Sequence, residues 1–223
     1  ILAPKDQVSA VIEALSASLA KVRIGHPGLE TTQMGALASL AQRRDVLEKV
    51  AALGHEARIV YGDPNHVEVD GADAIEGAFV SPILLHCADA KAARDVHGVE
   101  AFGPVSTVLG YDTMEEACAL TRRGEGSLAA SLVTHDPAVA RAAVMDIASH
   151  HGRLLVLDRD CARESTGHGT PMPQLVHGGP GRAGGGEELG GMRGVFHYMQ
   201  RTAVQGSPNM LTQITGSWIK GAP

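Results

Sequence analysis

The sequence predicts an α/β protein built on a mostly parallel, helix-covered sheet. Two observations carry this. From Val105 onward, apolar strands alternate with amphipathic helices. The strands read as near-continuous apolar runs, the pattern of strands buried on both faces. A third observation sets the scale: 223 residues that are 44% hydrophobic can bury a sizeable core. Only 3% are aromatic, so that core is aliphatic.

Taken in order, Asp6 is the expected N-cap of a helix that turns Val8, Val11, Ile12, Leu15 and Leu19 inward. Residues 25–32 read as a polar loop. A second helix is expected over Leu40 to Leu53, with Leu40, Val46, Leu47, Val50 and Leu53 inward and Gly54 as its stop. Ala57 to Tyr61 is a short strand. Ala78 to Leu85 is a longer one, with Pro82 marking an edge or bulge. A short helix follows from Asp89 to His97. Then come a strand (Val105 to Tyr111), a helix (Thr113 to Arg122) and a strand (Leu128 to Thr134). Asp136 caps a helix with Pro137 in its first turn and Val139, Ala142, Val144 and Ile147 inward; Gly152 ends it. Arg153 to Leu157 is the last apolar strand. In such sheets chemistry gathers beyond the carboxyl ends of the strands, which points to the loops after Leu85, Tyr111, Thr134 and Leu157.

The loop after Leu157 is the most unusual stretch. Eight of the fourteen residues from Gly178 to Gly191 are glycine. Ordering them is costly, so they belong where the backbone takes positive φ or passes close to another surface. Pro171, Pro173 and Pro180 stiffen the run, and Glu187-Glu188 precede apolar residues at helical spacing. This favours a close-packed loop feeding a helix over a disordered linker. Gly179, Gly181 and Gly184 spell G-x-G-x-x-G, but no strand precedes them and no acid follows at the required distance, so a dinucleotide cradle is rejected.

The net charge is −6, and no basic cluster exceeds Arg43-Arg44 or Arg122-Arg123, which argues against nucleic acid. There is no membrane-length apolar run and no signal peptide. Cys87, Cys118 and Cys161 read as reduced thiols of a cytoplasmic protein. Cys161 lies between Arg159 and Arg163, which would lower its pKa. His168 and His177 flank the Pro-rich loop, but nothing has metal-ligand spacing. Ser165 lacks a nucleophile-elbow setting. The segment Glu100 to Val105 could grip a sugar diol and pack a ring; residue chemistry alone favours a plain strand-entry turn there. No nucleophile–base pair emerges.

Several of these motifs carry a family resemblance. Glu100-Ala101-Phe102-Gly103-Pro104-Val105 resembles the E-x-F-G-P-V signature of the aldehyde dehydrogenase superfamily. Ser127 to Ala130 with Val133 to Asp136, and Gly152 to Asp158, resemble its next two strands. Glu164 to Gly169, Pro173 to Arg182 and His197 to Pro208 resemble the dehydrogenase part of the phenylacetic acid degradation bifunctional proteins, in which a hydratase-like domain follows. Two places depart from the superfamily pattern: Asp158 stands where Asn is usual, and residues 122–126 lack the common N-x-x-Y-G-L form.

The resemblance implies a C-terminal part of an aldehyde dehydrogenase catalytic domain over residues 1–199, then an association strand and tail over residues 200–223. The nucleophilic Cys and general-base Glu would lie upstream of Ile1, leaving no catalytic residue in this chain and a fragment inactive alone. It implies that Glu100 binds the nicotinamide ribose and Phe102 packs near the nicotinamide of NADP (or NAD). Asp158, His168, Pro173, Gln174 and His177 would wall the substrate tunnel. The substrate would be a CoA-linked semialdehyde of aromatic catabolism. Residues from Arg201 to Gly206 would mediate homo-oligomerisation. The alternative is a non-catalytic binding or assembly module of the same fold.

Overall fold

The computed structural model describes residues 1–168, 177–183, 192, 195, 199 and 201–223. The chain divides into two compact units, Ile1–Ala117 and Cys118–Pro223. The expected helix following the glycine run falls mostly outside the described residues.

The first unit holds a four-stranded sheet in the order β1-β4-β3-β2. Its strands are β1 (Leu2–Pro4), β2 (Arg58–Tyr61), β3 (Ile83–Cys87) and β4 (Val105–Tyr111). The β1–β4 and β3–β4 ladders are parallel and β2–β3 is antiparallel. Ile83, Leu84 and Leu85 are buried at its centre, as the apolar run demands. The strand expected from Ala78 begins only at Ile83. Pro82 has no N–H for a ladder, so pairing starts one residue later, where the Ile83 N–H donates to the Pro104 carbonyl.

Helix α1 (Val8–Leu19) lays Val8 on Ala3, Leu84 and Val108, with Val11, Ile12, Leu15 and Leu19 packed alongside. Asp6 is not its cap. It sits in a 3-10 turn, Lys5–Gln7, and Gln7 occupies the cap position without a side-chain bond. Helix α2 (Leu40–Leu53) has the expected bounds and buries Val46, Val50 and Leu53. The Ser39 hydroxyl caps it, Leu40 stays outside, and Gly54 ends it in right-handed rather than left-handed geometry.

The helix expected over 89–97 divides in two. The Asp89 carboxylate takes the N–H groups of Lys91 and Ala92. Glu56, from the end of α2, takes those of Arg94, Asp95 and Val96, and so starts the short α3 (Asp95–Gly98). Helix α4 (Met114–Arg122) follows β4.

The second unit holds a fully parallel sheet, β5-β6-β7, with β5 (Ser127–Val133), β6 (His151–Leu157) and β7 (Ala203–Gln205). Helix α5 (Pro137–Ile147) is capped as expected, the Asp136 carboxylate accepting from Ala138 and Val139. Its buried face is Ala140, Ala143, Val144 and Ile147, with Ala142 exposed. It packs against a C-terminal helix, Pro208–Thr215, which buries Met210 and Ile214 in a stretch whose polarity suggested only a tail. Gly152 does not end α5; it lies inside β6.

The sequence suggests one run of successive strands, whereas β4 and β5 belong to separate sheets. The reason is β1. This three-residue strand takes the edge of β4 that β3 leaves open, so both sides of β4 are paired within the first unit. The class is nevertheless as expected: four of the five ladders are parallel.

Candidate functional site

Two groups of residues bear on function, one in each unit. In the first unit, Glu100 and Phe102 precede β4. Both are exposed, Phe102 at 68%, an unusual position for a large ring. The loop that carries them is nonetheless fixed. Gln42 of α2 donates from Nε2 to the Phe102 carbonyl at 2.6 Å. Gly103 passes so close to α2 that a Cβ there would lie 2.8 Å from Val46 Cγ2. Gly103 and Pro104 also border a 400 Å³ cavity with Met34, Gly35, Leu37 and Val80. A rigid backbone thus holds an acid and a ring outward, which sequence spacing alone could not distinguish from a plain turn.

In the second unit, the loop after β6 turns on Asp158. This carboxylate is only 6% exposed. Its Oδ1 accepts from the N–H groups of Asp160 and Cys161 at 3.0 Å, and its Oδ2 from the Ser207 hydroxyl at 2.5 Å. Burial pushes its pKa up, but the Ser207, Cys161 and Asp160 bonds outweigh this and hold it below the usual value. Ser207 in turn caps the C-terminal helix. Asp158 therefore joins the end of β6 to the chain after β7.

Beyond these strand ends lies a 210 Å³ cavity lined by Leu155, Cys161, Glu164, Ser165, Thr166 and Gln205, among others. Its position at the carboxyl ends of parallel strands is where such sheets place ligands. Cys161 corrects the sequence-based reading. Its thiol is pushed up by burial and by Asp158, not lowered by the flanking arginines. Arg159 and Arg163 are exposed, so water screens them.

His168 folds back over β5, its Nε2 at 3.0 Å from both the Ala130 carbonyl and the Ser131 hydroxyl. His177 lies against Gly152, where a Cβ would fall 2.7 Å from Nδ1, so only glycine fits that strand position. Burial lowers both histidine pKa values, and Arg153 contributes to both. Pro173 and Gln174 lie outside the described residues. Most of the glycine run lies outside the described residues, but Gly181 is closely packed. Gly181 has φ +51°, and a Cβ there would fall 2.0 Å from the Glu125 carbonyl oxygen.

Arg153 was hidden in an apolar strand reading. It is 9% exposed on β6. Its one signal in the sequence is a lone cation inside a run of Leu and Val. Among the described residues, no three His, Cys, Asp or Glu side chains gather to hold a metal. No described helix is long and apolar enough to cross a membrane.

Residues 1–204 match the aldehyde dehydrogenase family, and the chain belongs to that family. It is 51% identical over 192 residues to the protein MaoC of Klebsiella aerogenes, covering 85% of this chain and 55% of that protein. It is 44% identical over 181 residues to a 3,4-dehydroadipyl-CoA semialdehyde dehydrogenase of Aromatoleum evansii, covering 81% of this chain and 35% of that enzyme. The chain thus spans about half and about a third of these two relatives. Its fold is similar to betaine aldehyde dehydrogenase of Staphylococcus aureus solved with NAD+. That match has a TM-score of 0.63 and 26% identity over 71% of this chain and 30% of that one. It is also similar to an aldehyde dehydrogenase of Pseudomonas syringae solved with NAD+ and octanal, with a TM-score of 0.61 and 26% identity over 70% and 30% of the two chains.

Proposed function

We propose that this chain is a C-terminal part of the catalytic domain of an NAD(P)-dependent aldehyde dehydrogenase, whose substrate is a CoA-linked semialdehyde of phenylacetate catabolism. The observation that carries the substrate class is the 44% identity over 181 residues to the dehydroadipyl-CoA semialdehyde enzyme. The nucleophilic thiolate and the general base come from upstream sequence. NADP, or NAD, accepts the hydride when bound.

This chain's own residues bind and orient. Glu100 carries an exposed carboxylate, a group that accepts from a ribose hydroxyl, and the exposed Phe102 ring offers an apolar face to a nicotinamide. Both fit such a group because the Gln42 and Val46 contacts hold their loop still. The stretch from Asp158 to His177, including His168, Pro173 and Gln174, walls the aldehyde channel and limits water at the reacting carbon. Residues Arg201 to Gly206 support assembly of a homo-oligomer in the cytoplasm. Among the described residues, β7 pairs only with β6, as an edge strand that could pair with a neighbouring subunit would. A hydratase-like domain follows in the parent protein.

The test is steady-state kinetics of the full-length parent with NADP and the CoA semialdehyde. Glu100→Gln should raise the cofactor KM about tenfold, the loss of one charged hydrogen bond, with the aldehyde KM little changed. Unchanged cofactor KM and kcat would remove Glu100 from the site. The 223-residue chain alone should form no NADPH. Turnover by it would refute the division of the active site. A parent without aldehyde activity would favour a binding or assembly module.

A further inference from the structure

Helix α3 is a single turn, too short to hold itself, and the carboxylate that starts it comes from far away in sequence. Glu56 lies just past the end of α2. Its own N–H donates to the Leu53 carbonyl at 3.1 Å, and Leu53 and Ala57 on either side are buried, so its backbone is fixed. Its Oε1 accepts from the Arg94 N–H at 2.8 Å, and its Oε2 from those of Asp95 at 2.8 Å and Val96 at 3.2 Å. One carboxylate thus takes three N–H groups that the start of a helix leaves without internal partners. The Arg94 bond, with those of Val96 and Asp95, outweighs desolvation and holds the Glu56 pKa below the ordinary carboxylate value, so the group is an anion at neutral pH.

These bonds run on into the loop before β4. The Asp95 carbonyl accepts from the Val99 N–H at 2.8 Å, and Val99 immediately precedes Glu100. His97 Nε2, 2.8 Å from the Ala90 carbonyl, adds a second tie to α3. On the far side, Gln42 holds the Phe102 carbonyl and Val46 packs on Gly103. Gln42 sits in the first turn of α2 and Glu56 just beyond its last. The span from Glu100 to Phe102 is therefore slung along one helix and anchored at both ends.

We propose that Glu56 is a positioning residue for cofactor binding, aiming the Glu100 to Phe102 span through α3 without touching the cofactor itself. The role rests on the assignment of Glu100 and Phe102 to the nicotinamide ribose and ring. Freeing the N–H groups of Arg94 to Val96 lets α3 unwind. Glu100 then has more conformations to lose on binding, which weakens the cofactor's hold and leaves the chemistry alone.

The test compares Glu56→Gln, Glu56→Asp and Glu100→Gln in the full-length parent, by steady-state kinetics with NADP and the CoA semialdehyde. Glu56→Gln leaves one acceptor oxygen where the carboxylate has two. It should raise the cofactor KM about three- to fivefold, less than loss of the Glu100 carboxylate, with kcat and the aldehyde KM within about twofold of wild type. Glu56→Asp keeps the charge on a shorter arm and should recover part of the loss. In the double variant, Glu56→Gln should add less than its own factor to that of Glu100→Gln, because it acts through that residue. Hydrogen exchange in the 223-residue chain gives the local readout. Glu56→Gln should speed exchange at Arg94 to Val96 and at Val99, while Leu84 and Leu85 in β3 stay protected. A cofactor KM raised by Glu100→Gln but not by Glu56→Gln would overturn the positioning role and leave the cofactor assignment standing. One raised by Glu56→Gln alone would also overturn it, since Glu100 would not be the residue it acts through. No change in either variant, or a parent without turnover, would remove the assignment and the role with it. A fall in kcat with both KM values raised, or faster exchange throughout β3, would mean a general loss of structure and would equally overturn the proposal.

Discussion

Replacing Ser207 by Ala tests how the second unit is held together. The Ser207 hydroxyl does two jobs. It donates to Asp158 Oδ2 at 2.5 Å and accepts from the Met210 N–H at 3.3 Å. Losing the cap costs about 1 kcal/mol. Losing a hydrogen bond to a buried carboxylate costs about 1.5–3 kcal/mol. The two share one atom and are not fully additive, so a total of about 2–3 kcal/mol is expected.

The assay is urea unfolding at pH 7 followed by the fluorescence of Trp218, the single tryptophan, which lies just beyond the C-terminal helix. The pH dependence separates the two jobs. Hydrogen bonds hold the folded pKa of Asp158 below the ordinary carboxylate value of about 3.9, so the stability it contributes is complete above that value. It is lost as the pH falls through the folded pKa. The gap between wild type and variant should therefore be full at pH 7 and shrink toward the cap term alone below about pH 4. A gap under about 0.5 kcal/mol at pH 7 would refute the reasoning. So would a gap that does not change between pH 7 and pH 3.

Acid should also weaken the second unit well above that range. His151, His168 and His177 have folded pKa values below 6.5, so the folded state favours their neutral forms. Their contribution is whole above pH 6.5 and is lost as the pH falls from there through the folded values; a urea midpoint equal at pH 7.5 and 5.5 would contradict this. Gly181→Ala must fit a Cβ 2.0 Å from the Glu125 carbonyl oxygen at φ +51°. It should cost about 2 kcal/mol or more in the same urea assay, and a neutral result would mean that the two backbones do not meet.

Much of this was legible in the sequence because it depends on local rules. Helix α2 has the expected bounds because its apolar spacing and the Gly54 that follows it agree. Asp136 with Pro137 announces α5 for the same reason. The E-x-F-G-P-V segment is recognisable as a motif, but its rigidity is not, since Gln42 and Val46 approach it from more than fifty residues away. The misreading of Cys161 has a similar cause. Sequence neighbours Arg159 and Arg163 point to solvent, while Asp158 and burial govern the thiol.

The sequence by itself determined the α/β class, the positions of most helices and strands, and the family motifs, because hydrophobic period and capping act over a few residues. Only the tertiary structure decided which strands are neighbours. A three-residue segment, Leu2–Pro4, closes the edge of β4 and sets β5 in a separate sheet, and nothing in its own three residues signals that role. The structure likewise decided that Asp158 and Ser207 meet across 49 positions of sequence and that Arg153 is buried. Burial and pairing depend on what the chain brings alongside from a distance, and no local pattern encodes that.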